Sequence, residues 1–154
     1  RNSRAQAALE FLMTYGWAIL IIFIMIGALV YFGVFNPSKI TPERCTAEIG
    51  FECAEWDVTN SNINVRLVNH KGVGLNSVAL TTVSSIQFAS TPTCSMTNTT
   101  WSPDGFNEIS CTGTNIFGGI TGDKAKVVFT STYKPISGTF TKQFDTELLG
   151  TIRS

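Results

Sequence analysis

Four cysteines, one histidine, a run of acidic residues, one asparagine sequon and a single carboxylate inside an apolar stretch are the side chains of this sequence that could carry chemistry. Cys45 and Cys53 are eight positions apart and Cys94 and Cys111 seventeen, with no C-x-x-C pair among them. Zinc knuckles use closely spaced pairs, and His70 is remote from the cysteines in sequence, so disulfides fit better than metal ligation. Of the three connectivities open to four cysteines, Cys45–Cys53 with Cys94–Cys111 closes the smallest loops, and each such bridge is worth about 2–3 kcal/mol. His70 lies in the turn-forming stretch Asn69-His70-Lys71-Gly72-Val73-Gly74, without a nucleophile motif such as G-x-S-x-G to serve as its partner. Glu48, Glu52, Glu55 and Asp57 lack the D-x-D-x-D-G spacing of a calcium loop and are expected on a solvated strand face. Trp56, Trp101 and Tyr133 could stack on sugars, but single aromatics in a β domain usually pack in the core or at its edge. The glycines at Gly118-Gly119 and Gly122-Asp123 are not followed by the lysine and hydroxyl residue of a phosphate-binding loop. No catalytic, cofactor-binding or metal-ligating set emerges, so an enzyme is not expected. Asn98-Thr99-Thr100 matches the N-x-[ST] glycan acceptor, and Asn98 is a candidate modification site.

The element that must position everything else is the run from Gln6 to Phe35, QAALEFLMTYGWAILIIFIMIGALVYFGVF, in which Glu10 is the one charged residue. About 25 apolar residues at roughly 1.5 Å rise make a helix of about 37 Å, longer than the ~30 Å hydrocarbon core of a bilayer. Ile19 to Ile26 are apolar all the way round a helix, which suits a membrane span or a helix enclosed by other helices and excludes an amphipathic surface helix. The isoleucines favour strands locally, yet a lone strand in lipid leaves its backbone groups unpaired, whereas a helix satisfies them within the segment. A conventional secretory signal has an apolar core of about 7–15 residues and a small-residue cleavage site, which this run does not match. Arg1 and Arg4 precede the run without an acidic neighbour, so that end is expected to stay cytoplasmic and the remainder to be exported.

With its flanks, this stretch resembles the N-terminus of archaeal type IV pilin-like proteins that carry a class III signal peptide. The resemblance rests on Arg4-Ala5 before Gln6, on Glu10 four residues after Gln6, and on the run Phe11-Leu12-Met13-Thr14-Tyr15-Gly16-Trp17-Ala18-Ile19-Leu20. It covers about a fifth of the chain, and it departs from the family at Ala5, where glycine is usual. It implies that a prepilin peptidase cuts between Ala5 and Gln6. It also implies that Gln6 and Glu10 take part in subunit assembly, with Glu10 meeting a cation of the neighbouring subunit. That cation is the processed α-amino group, or Arg1 or Arg4 if the leader persists.

Beyond Phe35 the pattern changes at Asn36-Pro37-Ser38. Proline disfavours helix at and before its own position, so the helix is expected to end near Asn36, with residues 37–44 as a short linker carrying Pro42. From Cys45 to Ser154 the chain reads as β structure. Strands are expected at Glu52–Val58, Ile63–Val68, over Leu75–Phe88 as one or two, Phe106–Cys111, Lys124–Tyr133 and Thr139–Ile152. Turns are expected at Thr59–Asn62 and Pro135–Gly138, and loops at Thr91–Gly105 and Thr112–Gly122. Six to eight short strands with this spacing make an antiparallel, immunoglobulin-like β-sandwich or a partly closed barrel, and the whole chain an α+β protein.

The net charge is zero and only 14% of residues are charged, so no basic field for nucleic acid is present. The expected function is a structural subunit of an extracellular homopolymeric filament, inserted in the membrane before an assembly machinery polymerises it. Adhesion is the favoured role, because no motor feature is visible and the helix lacks the glycine-alternating start of archaellins. The competing function is a single-span anchored extracellular protein that does not polymerise.

Overall fold

The computed structural model describes residues 3–35 and 41–154, with side chains from Ala8 onward in the first helix. The chain divides into two units, residues 1–41 and 42–154, each described by itself. Part of the expected linker, residues 36–40, lies outside the described residues, as do Arg1 and the side chains of Ala5 and Gln6.

The first unit is one helix, α1 (Ser3–Tyr31). The Thr14 hydroxyl is satisfied within the helix, donating to the Glu10 carbonyl at 2.8 Å, one turn back. Phe11 and Tyr15, also one turn apart, stack at 4.4 Å between ring centroids. The helix stops earlier than proline alone predicts. Gly33, at φ 69°, sits at the left-handed position past the end; its N–H donates to the Val30 carbonyl and the Val34 N–H to the Leu29 carbonyl. These two bonds form a Schellman cap, which satisfies carbonyls the last turn would otherwise leave open. A glycine able to adopt positive φ ends α1 at Tyr31, before Pro37 can act.

The second unit has eight strands: β1 (Arg44–Ala47), β2 (Phe51–Val58), β3 (Asn62–Asn69), β4 (Leu75–Ser84), β5 (Thr93–Met96), β6 (Phe106–Thr112), β7 (Lys124–Pro135) and β8 (Lys142–Thr151). They form two four-stranded antiparallel sheets, β1-β8-β7-β4 and β2-β3-β6-β5. The sandwich is as expected, but its strand order is not that of immunoglobulin domains, where the first strand neighbours the second and the first sheet runs ABED. Here the last strand lies between the first strand and β7, so the two chain ends of the domain share one sheet.

Period-two alternation places the core. In β3, Ile63, Val65, Leu67 and Asn69 are buried; in β7, Ala125, Val127, Phe129, Ser131 and Tyr133; in β8, Phe144, Thr146 and Leu148. At one end of the sandwich Phe51 stacks on Phe144 at 4.1 Å and on Trp101 at 5.2 Å, and meets the Tyr133 ring edge-on at 5.5 Å. The Trp101 indole N–H reaches the Gly105 carbonyl at 2.8 Å, so its polar atom is not orphaned by burial.

Three segments depart from the expected pattern: β1 begins at Arg44, at the end of the expected linker, where no strand is expected. β5 lies inside the stretch expected as loop, where only four residues pair, held by the Cys94 and Cys111 rung of the β5–β6 ladder. β4 is a single strand ending at Ser84, with irregular register between Asn76 and Ala79 and between Leu80 and Thr82, as befits a sheet edge.

Both disulfides have the local connectivity. Cys94–Cys111 ties β5 to β6 within one sheet, and Cys45–Cys53 ties β1 of the first sheet to β2 of the second, closing one side of the sandwich. Unreduced peptide maps are expected to contain these two linkages only. Reduction of both is expected to lower stability by about 2–3 kcal/mol per bridge, measured as a fall in the denaturant midpoint. A Cys45–Cys94 or Cys45–Cys111 peptide would contradict this pairing.

Candidate functional site

The surface that most needs a partner is α1 itself. Every large apolar side chain from Leu9 to Tyr31 is at least 41% exposed, and the Ala8–Tyr31 segment is long and apolar enough to cross a membrane. Glu10 is exposed on this helix and makes no ion pair among the described residues. A carboxylate in such a setting is costly in lipid unless a cation meets it.

On the head, the structure assembles a cluster that sequence spacing did not reveal. Glu52 at the start of β2, His70 in the β3–β4 turn and Asp104 in the β5–β6 loop converge: His70 Nε2 lies 2.7 Å from Glu52 Oε2, and Nδ1 lies 3.1 Å from Asp104 Oδ1. Backbone bonds bring them together, His70 N–H to the Gly50 carbonyl at 2.8 Å and Asp104 N–H to the Asn69 carbonyl at 2.8 Å. Both ring nitrogens can donate at once only in the imidazolium. Hydrogen bonding to Asp104, then to Glu52, raises the His70 pKa above its ordinary 6.5, with desolvation opposing and the two negative charges adding to the rise. The carboxylates flank opposite sides of the ring, and among the described residues no three such groups are arranged to hold a metal ion.

The sign of the pH dependence follows. A pKa raised on folding means that the native head binds the proton more tightly than the unfolded chain, so this contribution to stability is complete below about pH 6.5. It is lost as pH rises through the raised value. Melting temperature of the full chain in detergent should therefore fall from pH 6 to pH 8.5 more steeply in the wild type than in His70→Gln. Identical slopes would show that the His70 contacts with Glu52 and Asp104 contribute nothing.

Two further acidic residues of that run meet arginines on the exposed face: Glu55 lies 3.1 Å from Arg66, which also reaches Glu108 at 3.9 Å, and Asp57 lies 3.2 Å from Arg153. Exposed pairs of this kind are worth about 0–1 kcal/mol each. Trp101 and Tyr133 are 2% and 3% exposed, so neither can present a face to a sugar, and half-buried Trp56 packs against the core. Asn98 is exposed, in the segment that follows β5. Ala5 and Gln6, between which the resemblance implies cleavage, belong to the α1 backbone.

No protein-family model matches the chain, and no curated protein matches it. An N-terminal apolar helix joined to a disulfide-bonded β domain fits a membrane-anchored extracellular protein.

Proposed function

We propose that the chain is a pilin-like structural subunit of a cell-surface filament, in which α1 helices from many copies pack as the core and β heads form the outer wall. The observation that carries this proposal is the pairing of a helix exposed and apolar on every side with one carboxylate, Glu10, near its start. A plain anchor uses the apolar surface but not Glu10. A filament uses both, because replacing lipid by neighbouring helices buries the apolar surface and brings a cationic group of the next subunit within reach of the carboxylate. That group is the processed α-amino group at Gln6, or Arg1 or Arg4 if they remain.

Before assembly the helix resides in the membrane with the head outside. The partners are further copies of the chain, a prepilin peptidase acting at Ala5–Gln6, and an assembly machinery. The two disulfides support an extracellular head, since such bridges persist in oxidising compartments. Adhesion is the role we favour for such a filament. Shearing cells and separating the released material from membranes tests the proposal: the chain is expected in the sheared, sedimentable fraction as well as in the membrane. Confinement to detergent-soluble monomers would favour the non-polymerising anchor.

A further inference from the structure

Asn98 is the one asparagine in the chain followed, after a residue other than proline, by serine or threonine; Asn36 is separated from Ser38 by Pro37. The structure adds how it is displayed. Beyond the last β5–β6 pair, the Asn98 N–H donates to Asn107 Oδ1 at 3.0 Å, and the Asn98 carbonyl accepts from Asn107 Nδ2 at 2.8 Å. Asn107 is fully buried, so its carboxamide acts as one more rung of the ladder and fixes the Asn98 backbone. The chain then crosses to the first sheet, where the Thr99 carbonyl accepts from the Val78 N–H at 2.9 Å and Trp101 exchanges two bonds with Leu75, both 2.8 Å. Asn98, Thr99 and Thr100 all remain exposed, and the Asn98 carboxamide bonds to none of the described residues.

We infer that Asn98 is a glycan attachment site, bearing an asparagine-linked oligosaccharide. The donor is an oligosaccharide carried on a polyprenyl phosphate or diphosphate. Asn98 Nδ2 forms a bond to the anomeric carbon while that carbon's bond to the phosphate oxygen breaks. The lipid phosphate leaves with the electron pair, and Nδ2 releases one of its two protons to base. Thr100 supplies the hydroxyl that the N-x-[ST] acceptor requires.

The position gives the sugar a physical role. β4 and β5 are the edge strands of their sheets on the side opposite the Cys45–Cys53 bridge, and only Leu75 and Val78 of β4 bond to the crossing segment. A bulky hydrophilic chain at Asn98 shields this edge from pairing with other strands. The inference rests on export of the head, which is part of the proposed function, and not on polymerisation.

Mass spectrometry of the Asn98 peptide, from full-length chain purified out of the cells that naturally make it, tests the site. Cysteine oxidation is read in the same sample. A glycan mass on Asn98 is expected, lost completely in Asn98→Gln and Thr100→Ala and retained in Thr99→Ala and Thr100→Ser. An unmodified Asn98 in chain with both disulfides formed would overturn the site while leaving export intact. An unmodified Asn98 in chain with free thiols would overturn both. A sugar mass that survives Asn98→Gln would place the glycan on another residue and also overturn the inference.

Discussion

Replacing Glu10 by alanine or glutamine is expected to leave the chain made, membrane-inserted and folded while reducing its filament fraction by more than about a hundredfold. Glu10 belongs to the helical unit, not to the disulfide-bonded head, so the head core does not depend on it. In the membrane a neutral side chain is cheaper to bury than a carboxylate, so the unassembled pool loses nothing. Only in a polymer does the charge gain a partner away from water, where removing one member of an ion pair costs about 3–5 kcal/mol and leaves the other stranded. At about 1.4 kcal/mol per tenfold change, that lowers the association constant by more than about a hundredfold at each subunit addition. Glu10→Asp should fall between, keeping the charge with one methylene less reach. Immunoblots of membrane and sheared fractions provide the comparison, and normal filament yield from Glu10→Ala would reduce α1 to a purely apolar packing element.

The largest effect on the head is expected from Phe144→Ala. Phe144 is 1% exposed and touches the Phe51, Tyr133 and Trp101 rings, with centroids 4.1, 5.7 and 6.4 Å away. Truncating it removes apolar contact from all three and leaves a cavity that a close-packed sandwich cannot refill, at about 3–5 kcal/mol. Domains of this size have about 5–15 kcal/mol in total, so the variant should melt well over 10 °C lower, taking about 4 °C per kcal/mol. Phe140→Ala is the contrast: Phe140 is 80% exposed and should shift stability by no more than about 0.5 kcal/mol. Thermal melts followed by near-UV circular dichroism check both, and equal shifts would mean that the aromatic cluster is not the centre of the core.

The parts of this structure legible in the sequence are those governed by local periodicity. Ala125, Val127, Phe129 and Ser131 alternate with more exposed neighbours and all face inward, and an uninterrupted apolar run can satisfy its backbone in lipid only as a helix. The cysteine pairing was also accessible, because short loops favour it. What escaped was set by tertiary contacts or by one backbone dihedral. β5 is only four residues long, too short for the alternation of Cys94 and Met96 with Thr93 and Ser95 to stand out, and it forms because β6 and Cys111 offer it a partner. The end of α1 depends on Gly33 adopting positive φ, which outruns the proline signal at Pro37. Glu52, His70 and Asp104 lie 18 and 34 positions apart and meet only because β2, β3 and the β5–β6 loop end at the same place. The glycine-flanked turn around His70 was the available hint, and it suggested solvent rather than partners.

The most direct test of the filament proposal is a cryo-electron microscopy reconstruction of fibres sheared from cells that make this chain. The expected map has α1, from Ala8 to Tyr31, packed against copies of itself along the axis. Each Glu10 carboxylate should lie within ion-pair distance of a neighbouring subunit's cation, and the β-sandwiches should lie outside. Fibres that lack this chain, or that contain it with α1 exposed at the periphery, would contradict the proposal.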